Sequence, residues 1–260
     1  DGVTDSLILI SRMIEQKKKK DIAKALNELI KKHRELADQT IKNSEIKKQL
    51  IEKLNDDVSE LQELVRGLTL LKEVSARSLD YLVSFGERLS DDLVSFALQD
   101  LKKKSTALNG KEVGIVTDSN FGESRPLMDT TRIRISKTLG SLLSKKVIPV
   151  VGGFAGADQH GNVTTFGRSG SDYTATIISS SINADEVWLM SDVYCLMTAD
   201  PKIVRNAKPL KEVSYAEAIE MAQFGAKQIH PKTFEPLLSK KIPMRIRSTF
   251  DVKNAGTLVT

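Results

Sequence analysis

The chain has 260 residues, of which 40% are hydrophobic and 28% are charged, enough apolar content for one large or two small cores. Its one cysteine, Cys195, excludes a framework of intrachain disulfides and favours a reducing compartment. No run approaches the roughly 18 apolar residues of a membrane span, and the first residues lack the order of a signal peptide. The composition therefore predicts a cytoplasmic protein with no membrane partner.

The formal charge is +5, and many of the excess lysines lie at positions 17–20 and between positions 24 and 53. A basic surface of this kind could bind nucleic acid. However, only 5% of the residues are aromatic, and the lysines alternate with glutamates as they do on a solvated helix face. We expect a solvated face and no nucleic-acid partner, with a nucleic-acid or anion patch as the alternative.

The first 105 residues or so are predicted to be mostly helical. Between Asp21 and Lys72, apolar residues recur every three or four positions, which is the spacing of an amphipathic helix. A further helical pattern starts after Ser75, a residue type that caps helix N-termini, and ends before the lysines at 102–104.

The rest of the chain alternates between predicted strands and helices. Apolar runs rich in β-branched residues predict strands at 113–116, 147–151, 186–190 and 243–246. Helical patterns lie at about 130–143, 171–182 and 215–224. This alternation predicts an α/β unit with a largely parallel sheet covered on both faces, and with a helical elaboration near its start.

Glycines interrupt two of the predicted elements. In SFGERLS, a glycine inside a helical pattern costs about 1 kcal/mol relative to alanine, which indicates close packing beside Glu87 and Arg88. The alternative is an exposed Glu–Arg pair. In VIPVVGGF, Gly152 and Gly153 follow a strand, and glycine there lets the backbone approach a phosphate. A plain tight turn is the alternative.

The segment TTFGRSGSDYTA, residues 164–175, could bind an anion. Two glycines bracket Arg168, whose guanidinium can hold a carboxylate or phosphate through two hydrogen bonds. Ser171 and Asp172 are predicted to cap a helix that starts near Tyr173, where free backbone N–H groups favour an anion. An ordinary loop with an Asp cap and a surface Arg is the alternative.

Two later segments could line a nucleotide pocket. SDVYCLMTADPK, residues 191–202, follows a strand at whose carboxyl end an open α/β sheet binds ligands, and it offers Ser191, Asp192 and Lys202. FGAKQIHP places Lys227 after a helical run, where its charge could meet a phosphate or satisfy the helix C-terminus.

In this order, the segments resemble those of the aspartate kinases in the amino-acid kinase family. The similarity extends from DGVTD at the start to GTLVT at the end, with SFGERLS, TTFGRSGSDYTA, SDV, TADPK and FGAKQIHP as its most specific pieces. The resemblance implies a three-layer αβα sandwich with a mainly parallel central sheet. It also implies transfer of the γ-phosphoryl group of ATP, with Mg²⁺, to the side-chain carboxylate of L-aspartate.

The resemblance also implies roles for individual residues. Aspartate is expected in about residues 1–155 and ATP in about 156–260. The implied aspartate-binding residues are Thr4, Glu87, Arg168 and Ser171, and the implied catalytic residues are Asp172, Arg168 and Lys227. The nucleotide-binding set comprises Gly152, Gly153, Ser191, Asp192, Met197, Lys202 and Lys227; no side chain is assigned to a metal. The chain departs from the family pattern at Ser169 (usually Gly), Ser191 (Thr), Tyr194–Cys195 (Pro-Gly), Met197 (Tyr) and Lys202 (Arg).

Aspartate kinases also have a preceding strand with a Lys-Phe-Gly-Gly-Thr-Ser segment and following ACT-type regulatory domains. Both lie outside these 260 residues, so we expect the residues alone to bind weakly and to turn over slowly. A homodimer is expected. The alternatives are another kinase of the family, acting on glutamate, acetylglutamate, carbamate or a nucleoside monophosphate, and a non-catalytic regulatory subunit.

Overall fold

The computed structural model describes residues 2–192, 194–200, 203–223 and 229–260. The chain divides into two compact units, Asp1–Gly167 and Arg168–Thr260, each with its own hydrophobic core. The boundary falls within the segment TTFGRSGSDYTA. Two of the predicted site residues, Lys202 and Lys227, lie outside the described residues.

Four long helices form the first part of the first unit. Their bounds are α1 Val3–Glu15, α2 Lys19–Thr40, α3 Ser44–Leu71 and α4 Ala76–Asp100. Ser75 caps α4 as predicted, because its hydroxyl accepts the Ser78 backbone N–H. The apolar stripes of all four helices share one buried core, which confirms the predicted helical elaboration.

The second part of this unit carries short strands. Its elements are β1 Ser105–Leu108, α5 Gly110–Val113, β2 Val116–Thr117, α6 Met128–Ser144, β3 Ile148–Val151, β4 Ala155–Asp158 and β5 Val163–Thr165. β1 pairs with β3 and β2 with β4 in parallel, whereas β4 and β5 are antiparallel. The parallel register places Leu108 opposite Val151, so Asn109 and Gly152 both follow strand ends at one edge of the sheet.

The predicted strand at 113–116 is mostly wrong. Val113 is the last residue of the short helix α5, and β2 begins only at Val116. Local hydrogen bonds explain the difference, because Asn109 and Glu112 form a reciprocal capping box that starts a helical turn ahead of the strand. The apolar run is buried as expected, but it is shared between two elements.

The second unit is a four-stranded sheet with helices. Its elements are α7 Gly170–Ile182, β6 Val187–Ser191, β7 Glu212–Val213, α8 Tyr215–Gln223, α9 Glu235–Leu238, β8 Met244–Ser248 and β9 Thr257–Val259, with a 3₁₀ turn at Pro231–Thr233. The strand order is β6-β8-β9-β7, with β6 and β8 parallel from Val187 opposite Met244 to Ser191 opposite Ser248. Alternate residues of β6 and β8 are buried in the core of this unit.

The predicted α/β class is confirmed, because helices alternate with strands and four of the six strand pairings in the described ranges are parallel. Over the same ranges, no helix has the length and apolar content needed to cross a membrane.

A buried carboxylate ties α4 to β5. Asp80, which is 2% exposed, accepts hydrogen bonds from the backbone N–H groups of Gly122 and Thr165 and from the Thr165 hydroxyl, at 2.7–2.9 Å. Burial raises the pKa of Asp80, and these hydrogen bonds oppose the rise. The contact fixes β5, which leads into the segment containing Arg168.

We expect Asp80→Asn to lower the free energy of unfolding by about 1–3 kcal/mol, because an amide NH₂ would face donors that now meet a carboxylate oxygen. Urea unfolding followed by circular dichroism measures this change. The matched control is Asp56→Asn on the exposed face of α3, for which we expect a change within about 0.5 kcal/mol. Equal effects of the two substitutions would contradict the anchoring role of Asp80.

Candidate active site

The glycine inside α4 allows α1 to approach closely. A Cβ atom added to Gly86 would lie 3.3 Å from Val3 Cγ1 and 3.6 Å from Thr4 Oγ1. The close packing inferred from this glycine is therefore confirmed, with a helix as the neighbour. As a result, Thr4 at the start of α1 and Glu87 in α4, both predicted to bind the acceptor, border one cavity of about 320 Å³.

Glu87 also borders a larger cavity, of about 650 Å³, together with Gly152 and Gly153. Burial raises the pKa of Glu87, and a hydrogen bond from the Gly153 backbone N–H opposes that rise. The two glycines thus lie beside an acceptor-binding candidate in the first unit. Their predicted contact with a nucleotide stays a prediction.

Arg88 does not form an exposed pair with Glu87. Its guanidinium bonds Asp57 and, at 2.7 Å, Glu60, both on α3, and it stacks 4.4 Å from the centroid of the Phe85 ring. Tyr81 donates its hydroxyl to the same Glu60. The exposed-pair alternative is therefore wrong, and Arg88 instead links α3 to α4.

We expect Arg88→Ala to lower the free energy of unfolding by about 3 kcal/mol, because Asp57, 2% exposed, would lose the cation that compensates its burial. Arg66→Ala, on the exposed face of α3, serves as the control and should change stability by less than about 0.5 kcal/mol. Thermal unfolding of both variants at pH 7 measures the difference, and a loss no larger in Arg88→Ala than in the control would show that the network is dispensable.

Asp91 is a further carboxylate in this region that the sequence analysis did not single out. It is 8% exposed and borders the larger cavity, and its Oδ2 atom has no hydrogen-bond partner among the described residues. Burial raises the pKa of Asp91 to about 8, and the negative charges of Glu87, Asp92 and Glu112 add to the rise. Its position in the sequence could have indicated its proximity to Glu87, because residues four apart in a helix lie on the same face.

In the second unit, α7 starts earlier than predicted. It begins at Gly170, with Ser169 at the N-cap in a left-handed conformation (φ 56°). Ser171 and Asp172 are therefore first-turn residues, and the prediction that they cap the helix is wrong. The Ser169 side chain makes no capping hydrogen bond in the described part of the chain. Its left-handed conformation is one that glycine adopts without strain, in agreement with the glycine usual at this position in the family.

The structure brings the remaining candidates of TTFGRSGSDYTA together at the start of α7. Arg168 and Ser171 are exposed and Asp172 is half-buried. Burial raises the pKa of Asp172. This end of α7 combines a guanidinium, a hydroxyl and first-turn N–H groups, and it is suited to an anion.

Ser191 and Asp192 lie at the carboxyl end of β6, as predicted. The Ser191 hydroxyl donates to Asp192 Oδ1 at 3.0 Å, and the Ser191 carbonyl accepts the Thr249 N–H at 2.8 Å. Met197 forms an isolated β-bridge with Pro209, and its sulfur lies 3.7 Å from Cys195 Sγ.

Within the described ranges, no three His, Cys, Asp or Glu side chains are grouped closely enough to hold a metal ion by themselves.

Comparison with known proteins gives the family. The model of the amino acid kinase family matches residues 2–248. The chain belongs to the amino acid kinase family. Within that family, it is similar to aspartokinases. It is 34% identical over 205 residues to aspartokinase 1, chloroplastic, of Arabidopsis thaliana, covering 78% of this chain and 36% of that protein. It is 38% identical over 188 residues to aspartokinase 1 of Bacillus subtilis, covering 72% of this chain and 45% of that protein.

The solved structures of amino acid kinases agree with this similarity. The structure of E. coli aspartokinase III in complex with aspartate and ADP superposes with a TM-score of 0.83 at 27% identity, covering all of this chain and 56% of that one. The chain thus spans between about a third and a little over half of the length of these relatives.

Proposed function

We propose that this chain is the catalytic part of an aspartate kinase, which transfers the γ-phosphoryl group of ATP to the side-chain carboxylate of L-aspartate. The observation that carries the proposal is the pairing of Thr4 and Glu87 in one cavity. Support comes from E. coli aspartokinase III, which aligns over the whole chain and was solved with aspartate and ADP.

The four proposed acceptor-binding residues offer groups that suit the charged ends of aspartate. Glu87 takes the substrate ammonium as an acidic partner in a partly desolvated site, where the attraction is stronger than in water. Thr4 adds a hydroxyl contact. Arg168 holds a carboxylate through two parallel hydrogen bonds, and Ser171 offers a further hydroxyl at the same helix end.

The start of α7 and the carboxyl end of β6 fit a nucleotide and its metal ion. The α7 start carries Arg168 and lacks a side-chain cap within the described residues, which suits phosphate oxygens. Asp172 and Asp192 are the carboxylates that would hold Mg²⁺, and one or two carboxylates together with phosphates are its usual ligands. Bound Mg²⁺ would supply positive charge against the phosphate oxygens. Ser191, Met197, Lys202 and Lys227 complete the proposed nucleotide set, joined by Gly152 and Gly153.

The protein's own catalytic contribution is positioning and charge stabilisation. Arg168 and Lys227 meet the negative charge that spreads over the transferring phosphoryl group. Asp172 orients the cations around it.

We further propose a cytoplasmic homodimer as the working form. Sedimentation equilibrium measures the molecular mass in solution, and a monomer at micromolar concentration would contradict the dimer.

An ATP-dependent hydroxamate assay on the full-length protein tests the proposed function. Hydroxylamine traps an acyl phosphate as a coloured hydroxamate, so L-aspartate and L-glutamate are compared as acceptors. We expect signal with L-aspartate and none above background with L-glutamate. Signal with L-glutamate alone would assign the chain to another branch of the family.

A further inference from the structure

Buried hydrogen bonds hold the main chain shortly before Arg168. Asp80 Oδ2 accepts the Thr165 backbone N–H at 2.9 Å, and Asp80 Oδ1 accepts the Thr165 hydroxyl at 2.7 Å. On the other side of this residue, the backbone N–H and the hydroxyl of Ser124 both donate to the Thr165 carbonyl at 2.9 Å. Asp80, Ser124 and Thr165 are at most 5% exposed. The N–H, hydroxyl and carbonyl of Thr165 are therefore all bonded where water has little access.

The two residues that follow Thr165 are also held. The Phe166 backbone N–H donates to the Phe154 carbonyl at 2.9 Å, and Phe166 is 2% exposed. Gly167 has a φ of 69°, and a Cβ atom built on it would lie 2.9 Å from the Gly122 carbonyl oxygen. Each of the residues 165–167 is thus fixed by its neighbours, and the peptide bond after Gly167 leads directly to Arg168.

Asp80 joins the two segments that provide this support. Its Oδ2 atom accepts the Gly122 backbone N–H at 2.8 Å in addition to the Thr165 N–H. One carboxylate oxygen therefore links β5 to the loop whose Gly122 carbonyl packs against Gly167. A carboxylate suits this position because each of its oxygens can accept more than one hydrogen bond.

The side chain of Arg168 has no comparable support of its own. It is exposed, and within the described ranges it forms no ion pair. Binding a carboxylate through two hydrogen bonds demands a defined geometry, and a misplacement of about 1 Å can cost up to about a hundredfold in rate. The position of the guanidinium therefore depends on the main chain from which it extends.

We propose that Asp80 is a positioning residue for the acceptor, because it fixes residues 165–167 and so lets Arg168 meet a carboxylate without reordering of the main chain. This inference rests on the proposed function, in which Arg168 binds L-aspartate. At 2% exposure, Asp80 is too buried to touch the substrate itself. Its effect on affinity must then pass through Arg168, whereas a purely structural role would leave the affinity of the folded protein unchanged.

A double-mutant cycle on the full-length protein tests the inference, with L-aspartate binding measured by isothermal titration calorimetry. Asp80→Ala and Thr165→Val should each weaken binding by about tenfold. In a protein that already carries Arg168→Ala, the same substitutions should weaken it by less than about twofold, because no guanidinium is left to position. The value of kcat/KM from the hydroxamate assay extends the cycle to variants that bind too weakly for calorimetry.

Stability provides the contrast within the same cycle. The free energy of unfolding in urea should fall by the same amount in both backgrounds, because the buried hydrogen bonds are lost whether or not Arg168 is present. Thr165→Ser keeps the hydroxyl and should bind L-aspartate as the wild-type protein does. Asp56→Asn, on the exposed face of α3, should match the wild-type protein in affinity and stability. Circular dichroism verifies folding, and Thr165→Val, which removes a single hydrogen bond, carries the test if Asp80→Ala does not fold.

The outcomes separate this inference from the proposed function. Unchanged affinity in folded but less stable variants would overturn the positioning role, even if the wild-type protein forms aspartyl hydroxamate. Equal losses of affinity with and without Arg168 would overturn it as well, since Asp80 would then act independently of Arg168. Coupling between the two sites without any hydroxamate would support the positioning role and contradict the kinase activity. A wild-type protein that neither binds L-aspartate nor forms hydroxamate would overturn both.

Discussion

Arg168→Ala is expected to lower kcat/KM for L-aspartate by about a hundredfold or more. The estimate follows from removing one partner of a charge-assisted pair, which typically costs about 2–5 kcal/mol when the pair is desolvated by the ligand. Because Arg168 is exposed in the structure, its loss should leave the free energy of unfolding almost unchanged. Steady-state kinetics and urea unfolding on the same preparation measure both quantities.

Arg168→Lys refines the interpretation of the first variant. Lysine keeps the charge but loses the two-pronged geometry, so we expect it to recover only a small part of the lost kcat/KM. Arg205→Ala, an exposed arginine of the same unit, is the control and should behave as the wild-type protein does. Full activity of Arg168→Ala would remove Arg168 from the site and leave it as a surface residue.

The second large effect concerns stability. The unfolded-state pKa of aspartate is about 3.9, whereas that of Asp91 in the folded protein is about 8. Between these values the folded state holds a proton that the unfolded state has lost. The free energy of unfolding should therefore fall by about 1.4 kcal/mol for each pH unit well below pH 8, and by about half as much for each unit at pH 8. The decline should be clearest between pH 6.5 and 8, because the pKa of Asp92, also raised by burial, is about 6. Burial lowers the pKa values of His33 and His230, which therefore contribute an opposite change near pH 6.5 that the wild type and Asp91→Asn share.

Asp91→Asn should abolish this decline and make the protein more stable than the wild type by several kcal/mol at pH 8. Urea unfolding at pH 6.5, 7.25 and 8 measures the slope. Asp56→Asn, which changes an exposed carboxylate on α3, should retain the wild-type slope. A slope that persists in Asp91→Asn would mean that the carboxylate is not held protonated in the folded state.

The two variants distinguish stability from activity. Asp91→Asn is expected to stabilise the fold, because it removes a buried carboxylate that has no hydrogen-bond partner for Oδ2 among the described residues. Arg168→Ala is expected to affect activity alone.

Local patterns predicted the helices best. Ser75 was recognisable as the α4 cap because the cap depends on residues within one turn, and the hydroxyl does accept the Ser78 N–H. The interpretation of Gly86 also succeeded, since a glycine in a long helix has few explanations other than close packing. The α1 side chains that approach it could not be derived from spacing alone.

The predictions that were wrong depended on where a side chain points or on how a helix is capped, and neither can be derived from hydrophobic spacing. Arg88 reaches α3 rather than Glu87, and that choice depends on Asp57, 31 residues earlier in the chain. Asn109 and Glu112 convert the first residue of a predicted strand into the end of a helix. Ser169 starts α7 in a left-handed conformation that its residue type does not suggest. Only the four-residue spacing between Glu87 and Asp91 could have indicated that Asp91 lies near Glu87.

The central claim is phosphorylation of the side-chain carboxylate of L-aspartate, and trapping the product with sodium borohydride tests it most directly. Borohydride reduces an acyl phosphate to an alcohol, so the position of the alcohol reports which carboxylate received the phosphoryl group. Incubation of the full-length protein with ATP, Mg²⁺ and L-aspartate followed by reduction should yield homoserine, identified by mass spectrometry against standards. Formation of 3-amino-4-hydroxybutanoate would place the phosphoryl group on the α-carboxylate, and the absence of any reduced product would contradict the kinase assignment itself.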